Sequence, residues 1–259
     1  MLAQDRQEEA ETVLRTIARG NGVTGKLDIN LRPPPSHVQR LHGQRLHVGS
    51  KGEDSVVTLF TSPRLTRVSL ILSYCWFVVG GCYYGLTLAA GHMGTDIYTG
   101  TALSGLVELP AVLFIYYAIE CHGRKMAVVT FLILGGVFCV SIKILSGSMT
   151  TLLALCGKMC IAGAFKVVYI SSSEIFATSI RNSALGIMSA LARVGAILAP
   201  FIVMMGETSP GLQFFIFGVM CLSGGLLGVW LPETRNKPLP ECVREMLLDK
   251  EKKLETQHI

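Results

Sequence analysis

Three cations and one carboxylate stand inside otherwise apolar stretches of this chain. Arg193 lies in MSALARVGAILAPFIVMM (188–205), Glu108 in GLVELPAVLF (105–114), and Lys158 and Lys166 in TLLALCGKMCIAGAFKVVYI (151–170). If such stretches cross a bilayer, a charge near the middle costs roughly 2.5 to 3.5 kcal/mol, so it pairs with another charge or faces a wet cavity. An arginine there can grip a carboxylate with its planar fork. Glu108 can balance a cation, and the adjacent rings of Tyr83 and Tyr84 can stack on a cation or donate hydrogen bonds. Three cations against one carboxylate leave surplus positive charge that an anionic ligand group could complete. The competing reading is structural. In it Glu108 neutralises Arg193 or a lysine and locks the bundle, Lys158 and Lys166 snorkel to the interface, and the tyrosines form an interfacial aromatic belt. Residue types leave both readings open.

The elements that must position these groups are read from composition. The chain has 259 residues, 50% hydrophobic and 16% charged, with a mean hydropathy of +0.49. A soluble domain carries about 25% charged residues, so this is the balance of a membrane protein. The charges gather in residues 1–67 and 232–259. Between them, six apolar stretches reach the roughly 20 residues a helix needs to cross about 30 Å of hydrocarbon. They fall at about 68–90, 98–119, 126–145, 151–171, 184–205 and 212–231, so the expected fold is an all-α membrane protein of six transmembrane helices. In that frame Arg193 lies about nine residues into its span, roughly 14 Å deep.

Orientation follows from the loops. GHMGTDIY, SGSMT and GETSPG carry no Lys or Arg, whereas ECHGRK and SSEIFATSIRN alternate with them. The positive-inside rule then puts both termini in the cytoplasm, and an even span count requires the same. Pro110 and Pro200 interrupt the hydrogen bonding of their spans, and Gly81–Gly85 and Gly224–Gly228 offer small faces for close helix approach.

The flanks carry less. Residues 1–20 read as an amphipathic helix and 21–58 as a flexible basic linker. Residues 59–67 read as a short interfacial helix opening the membrane domain (59–231), and 232–259 as a tail. His37, His42 and His47 recur at intervals that scatter them around a helix, so no metal site is expected. Of the eight cysteines, six lie within apolar blocks and none forms a zinc-type spacing, so they read as small apolar fillers. Nothing resembles a nucleophile–base pair, a cofactor-binding loop or a nucleic-acid-binding patch, so no enzyme is expected.

Beyond the residues themselves, several motifs resemble a known family. GRK at 123–125 is similar to the cytoplasmic loop signature of the major facilitator superfamily. EIFATSIRNSALGIMSALARVGAILAP (174–200), LPETRNKPLPE (231–241), LFTSPRLTR and WFVVGGCYYGLTL resemble its organic cation, anion and zwitterion transporter family, solute carrier family 22. The resemblance implies twelve spans in two halves, of which this chain matches the second. QDRQEEAETVLRTIARGNG resembles the loop joining the halves, so a fragment or short isoform is expected. It further implies that Arg193 occupies a position that is arginine in anion-handling members and aspartate in cation carriers. Tyr83 and Tyr84 match a cavity-lining tyrosine pair, and Arg124, Lys125, Glu174, Arg181 and Glu233 match a cytoplasmic charge network.

Two departures bear on substrate. EIFATS lacks the family's Tyr-Pro, and Val112 stands where anion exchangers have lysine, one turn after Glu108. A cavity with Arg193, Lys166, Glu108 and tyrosine rings would suit zwitterions, such as the carnitine-like and ergothioneine-like compounds carried within the family. The expectation is therefore alternating-access transport of small organic ions by a multi-pass protein of the plasma membrane. The alternative is a non-transporting chain that partners a full-length carrier, or needs a missing N-terminal half, because six helices make one wall of a cavity.

Overall fold

The structure, a computed structural model, describes Thr12, residues 63–91, 97–145 and 149–235, and Pro240. The expectations for 1–20, 21–58 and most of 232–259 lie outside the described residues. The chain divides into two units, Met1–Gly52 and Glu53–Ile259, and all that follows concerns the second.

Seven helices make up the described part: α1 Pro63–Gly91, α2 Ile97–Leu106, α3 Glu108–His122, α4 Arg124–Ile144, α5 Thr150–Ile175, α6 Arg181–Thr208 and α7 Leu212–Gly228. Lipid offers the backbone no partners, so apolar runs of this length satisfy their own N–H and C=O groups as helices. Among the described residues, five stretches are long and apolar enough to cross a membrane: Leu65–Ala89, Tyr98–His122, Arg124–Ile144, Thr150–Ile175 and Arg181–Gly206. The sixth, α7, is a shorter apolar helix. Its C-terminal turn tightens, with the N–H groups of Val229, Trp230 and Leu231 bonding three residues back at 3.3, 3.0 and 3.0 Å. Residues 63–67 of the interfacial helix expected at 59–67 belong to α1 and run on into the first span.

The second span runs through Tyr98–His122 with a local disturbance at Val107, between α2 and α3. Pro110 has no N–H to give the carbonyl of Leu106, and its ring crowds that carbonyl. Val107 nonetheless keeps helical dihedrals (φ −63°, ψ −21°) and its N–H bonds the Leu103 carbonyl at 3.1 Å, so the helix is carried across the disturbance. Pro200, by contrast, sits inside a helix that continues to Thr208.

The helices pack around α1, which lies against α2, α5, α6 and α7, while α4 sits against α3, α5 and α7. Trp76, Phe176, Phe217, Leu72, Leu132 and Ile161 form the fully buried centre. Without water to drive apolar surfaces together, such contacts depend on how closely backbones approach. The α1–α6 seam is the closest: a Cβ placed on Gly80 would lie 2.4 Å from the Ala192 carbonyl oxygen, and one on Gly195 would lie 2.4 Å from that of Phe77. Five of the eight cysteines (Cys75, Cys82, Cys139, Cys160 and Cys221) are buried free thiols.

Burial is uneven. Within an 18-residue apolar window of each span, half or more is buried for α1, α4 and α5, against 17% in Tyr98–His122 and 22% in Arg181–Gly206. Leu109, Leu113, Tyr116 and Tyr117 of α3 and Val194, Ile197, Phe201 and Met204 of α6 are exposed at helical spacing.

Candidate functional site

Glu108, one residue after Val107, meets two other helices. Tyr83 of α1 donates its hydroxyl to Glu108 Oε1 at 2.7 Å, and Lys158 Nζ of α5 lies 3.5 Å from the same oxygen. Lys158 also donates to Ser104 Oγ of α2, and its ammonium sits over the Tyr83 ring, 5.3 Å from the centroid. Lys158 is 3% exposed, so its charge is held by the carboxylate, the hydroxyl and the ring face rather than by solvent.

An open hollow of about 510 Å³ adjoins this cluster. Tyr83, Tyr84 and Glu108 line one side. Ala162, Phe165, Lys166, Tyr169 and Ile170 of α5 line the other. Tyr83 stacks on Phe165, with centroids 5.8 Å apart and planes at 17°, and meets Tyr84 edge-on at 5.3 Å. Trp76 backs this panel, 5.8 Å from Phe165 and 5.5 Å from Tyr169, with its indole N–H held by Ser172 Oγ at 2.9 Å. Four aromatic side chains, a carboxylate and an ammonium thus face one space.

Of the expected binding residues, Tyr83, Tyr84, Glu108 and Lys166 meet at the hollow, and Arg193 is not among its lining residues. Arg193 stands twelve residues after Arg181 and thirteen before Gly206, at the middle of its span, on the exposed side of α6. Ala192 and Gly195 turn the opposite side against α1. Phe165 and Tyr169 were not anticipated, though their spacing shows them: 162, 165, 166, 169 and 170 recur at helical intervals and share Lys166's face. The residue types leave Arg193, Lys158 and Lys166 open as partners of Glu108, and the structure pairs it with Lys158. Periodicity places a residue on a face and does not say which helix that face meets.

A second polar cluster joins α3, α4, α5 and the segment after α7. Arg124 places Nη2 at 3.0 Å and Nε at 3.1 Å from Glu174 Oε1, and Thr234 Oγ1 donates to Glu174 Oε2 at 2.5 Å. Glu233 Oε1 accepts the backbone N–H of Arg124 at 3.0 Å, and Oε2 that of Lys125 at 3.2 Å. The carboxylate therefore caps the N-terminus of α4, where unpaired N–H groups and the dipole both favour an anion. At the facing helix end, Arg235 Nη1 donates to the Cys121 carbonyl of α3 at 3.0 Å. Gly123 makes the α3–α4 turn at φ +84°, and a Cβ there would lie 2.7 Å from Glu233 Oε2. Arg181 instead bonds the Phe176 carbonyl at 3.3 Å and Thr178 Oγ1 at 3.2 Å. Lys125 enters the cluster through its backbone.

A Glu233→Ala chain should lose about 1 to 2 kcal/mol, the usual worth of a helix cap. Its melting midpoint in detergent should fall by a few degrees. Glu233→Gln keeps one acceptor oxygen and should lose about half as much. Equal midpoints for parent and Glu233→Ala would mean that the cap contributes nothing.

A bundle of apolar helices of membrane-spanning length defines a class: multi-pass membrane proteins. The family is given by comparison. Residues 1–246 match the profile of the sugar (and other) transporter family. The chain belongs to that family, within the major facilitator superfamily. It is 38% identical over 245 residues to a solute carrier family 22 member 15-like protein of Xenopus tropicalis, covering 92% of this chain and 48% of the relative. It is 36% identical over 200 residues to organic anion transporter 3 of Oryctolagus cuniculus, covering 76% and 37% respectively. With an organic cation transporter protein of Drosophila melanogaster it shares 31% over 248 residues, or 95% and 45%. The chain thus spans about half the length, or less, of these curated relatives.

Proposed function

We propose that the chain forms the C-terminal half of a carrier that moves small organic ions, with zwitterions as the preferred class, by alternating access. The observation that carries this reading is the hollow itself, where Tyr83, Tyr84, Glu108 and Lys166 converge within the spanning region. The substrate's cationic end stacks on the tyrosine faces with Glu108 in reach. Its anionic end pairs with Lys166, and with Arg193 as the bundle rearranges. The relatives' names, which include organic anion and organic cation transporters, support organic ions as the substrate class. The Lys/Arg-rich loops support cytoplasmic termini, and the plasma membrane is the proposed location. The Arg124–Glu174 pair and the Glu233 cap, all at one end of the bundle, form a latch that opens and closes with the transport cycle.

The test is uptake of labelled betaine-type zwitterions, aryl carboxylates and quaternary ammonium ions by cells expressing the carrier that contains this half. Arg193→Ala should lower uptake of the zwitterion and the carboxylate by about tenfold, equivalent to 1.4 kcal/mol, while sparing the ammonium ion. Unchanged kinetics for all three would remove Arg193 from the binding role.

A second reading rests on Arg193's exposure amid Val194, Ile197 and Phe201. A mid-span guanidinium on an exposed apolar face needs a polar cover, which another carrier chain could supply. In this reading the chain is a non-transporting membrane partner. It predicts co-purification with a full-length carrier together with reduced transport. Transport by the chain alone, reconstituted in liposomes, would count against it.

A further inference from the structure

We infer that Lys158 is the residue that sets the charge preference of the hollow, by withholding the Glu108 carboxylate from it. The inference rests on the reading of the hollow as an ion-binding site. Glu108 carries the hollow's one negative charge among its lining residues, and its side chain is 24% exposed there. Both contacts of that carboxylate fall on Oε1, from Tyr83 at 2.7 Å and from Lys158 at 3.5 Å. Lys158 does not line the hollow. It lies behind Tyr83, 3% exposed, and reaches the ligand space only through what it does to Glu108 and to the ring.

The charge sum is then simple. Glu108 and Lys158 cancel, and Lys166 leaves the hollow positive, so it favours an anionic group. A carboxylate freed among four aromatic rings is the opposite kind of site, the arrangement that holds quaternary ammonium ions. One buried lysine therefore decides between two ligand classes that the same lining could take. Lys158 is a positioning residue in this account, because it touches Glu108 and not the ligand. Its removal also takes a hydrogen bond from Ser104 on α2.

The test measures binding of radiolabelled tetraethylammonium and benzoate to the purified chain in lipid nanodiscs, which requires no transport. Lys158→Met should shift the cation-to-anion affinity ratio at least tenfold toward tetraethylammonium. Glu108→Gln keeps an acceptor for Tyr83 but leaves two cations, and should shift the ratio at least tenfold toward benzoate. The double variant, with neither charge, should return to within about threefold of the parent. If either single variant is not recovered as folded protein, the other still gives a signed result. An unmoved ratio, shifts of the same sign, or a parent chain that binds neither probe would each overturn the inference. Failure of the transport reading looks different: opposed binding shifts would persist while liposome uptake stayed at background.

Discussion

A leucine at position 195 should cost the chain its folded, detergent-stable form, or lower its melting midpoint by about 10 °C. The atoms a Cβ would meet there are backbone: the Phe77 carbonyl oxygen at 2.4 Å, then the Gly81 amide nitrogen at 3.0 Å. Neither can rotate away, so α1 and α6 must separate along their whole seam. Overpacking a core usually costs about 1–3 kcal/mol, and displacing two helices lies at or beyond the upper end. For a chain of this size about 3 kcal/mol corresponds to a shift of roughly 6–12 °C. Gly80→Leu should behave alike, since its Cβ would lie 2.4 Å from the Ala192 oxygen. Gly186→Ala is the control on the same helix. Nothing lies within 4 Å of its Cβ position, so its midpoint should hold or rise slightly. Size-exclusion profiles and thermal unfolding of the purified variants decide the matter. If all three variants match the parent, the close α1–α6 seam is wrong.

Reversing one charge at the Arg124–Glu174 pair is the second large effect. The side chains are 26% and 20% exposed, between a surface pair worth about 0–1 kcal/mol and a buried one whose breakage costs about 3–5. Glu174→Arg sets two guanidinium groups face to face and removes the acceptor of Thr234, so a loss of about 2 kcal/mol is expected, or several degrees in midpoint. Arg124→Glu combined with Glu174→Arg restores opposite charges and should recover part of the loss. Recovery stays incomplete because the Glu233 carboxylate, bonded to the Arg124 and Lys125 amides, would then face a new carboxylate. A double variant no better than the worse single would show that the pair does not act as a pair.

Much of this architecture is legible in the sequence. Apolar length alone placed the long spans, because a bilayer leaves a helix no other way to satisfy its backbone. Pro110 announces disturbed hydrogen bonding within the span expected at 98–119, and the structure shows it as a local disturbance at Val107 in a stretch that runs on to His122. Glu108's partner was less legible still. Arg193 and Lys158 were equal candidates by type, and the choice depends on how α3 and α5 rotate against each other. The aromatic side of the hollow was readable from the 162–165–166–169–170 stripe once Lys166 was taken as its marker. Arg193's surroundings were not readable, since α6's exposed side takes its meaning from whatever covers it.

The cap on α4 has a consequence for how the chain is made. Arg124 emerges from the ribosome 109 residues before the glutamate that accepts its amide hydrogen. At about 5–20 residues per second, the start of α4 waits roughly 5 to 20 seconds for its cap. Through that interval α4, α5, α6 and α7 must be synthesised while the Gly123 turn is held by nothing from the Leu231–Arg235 segment. The turn that begins α4 is therefore among the last pieces of the bundle to close, although it lies near the middle of the sequence.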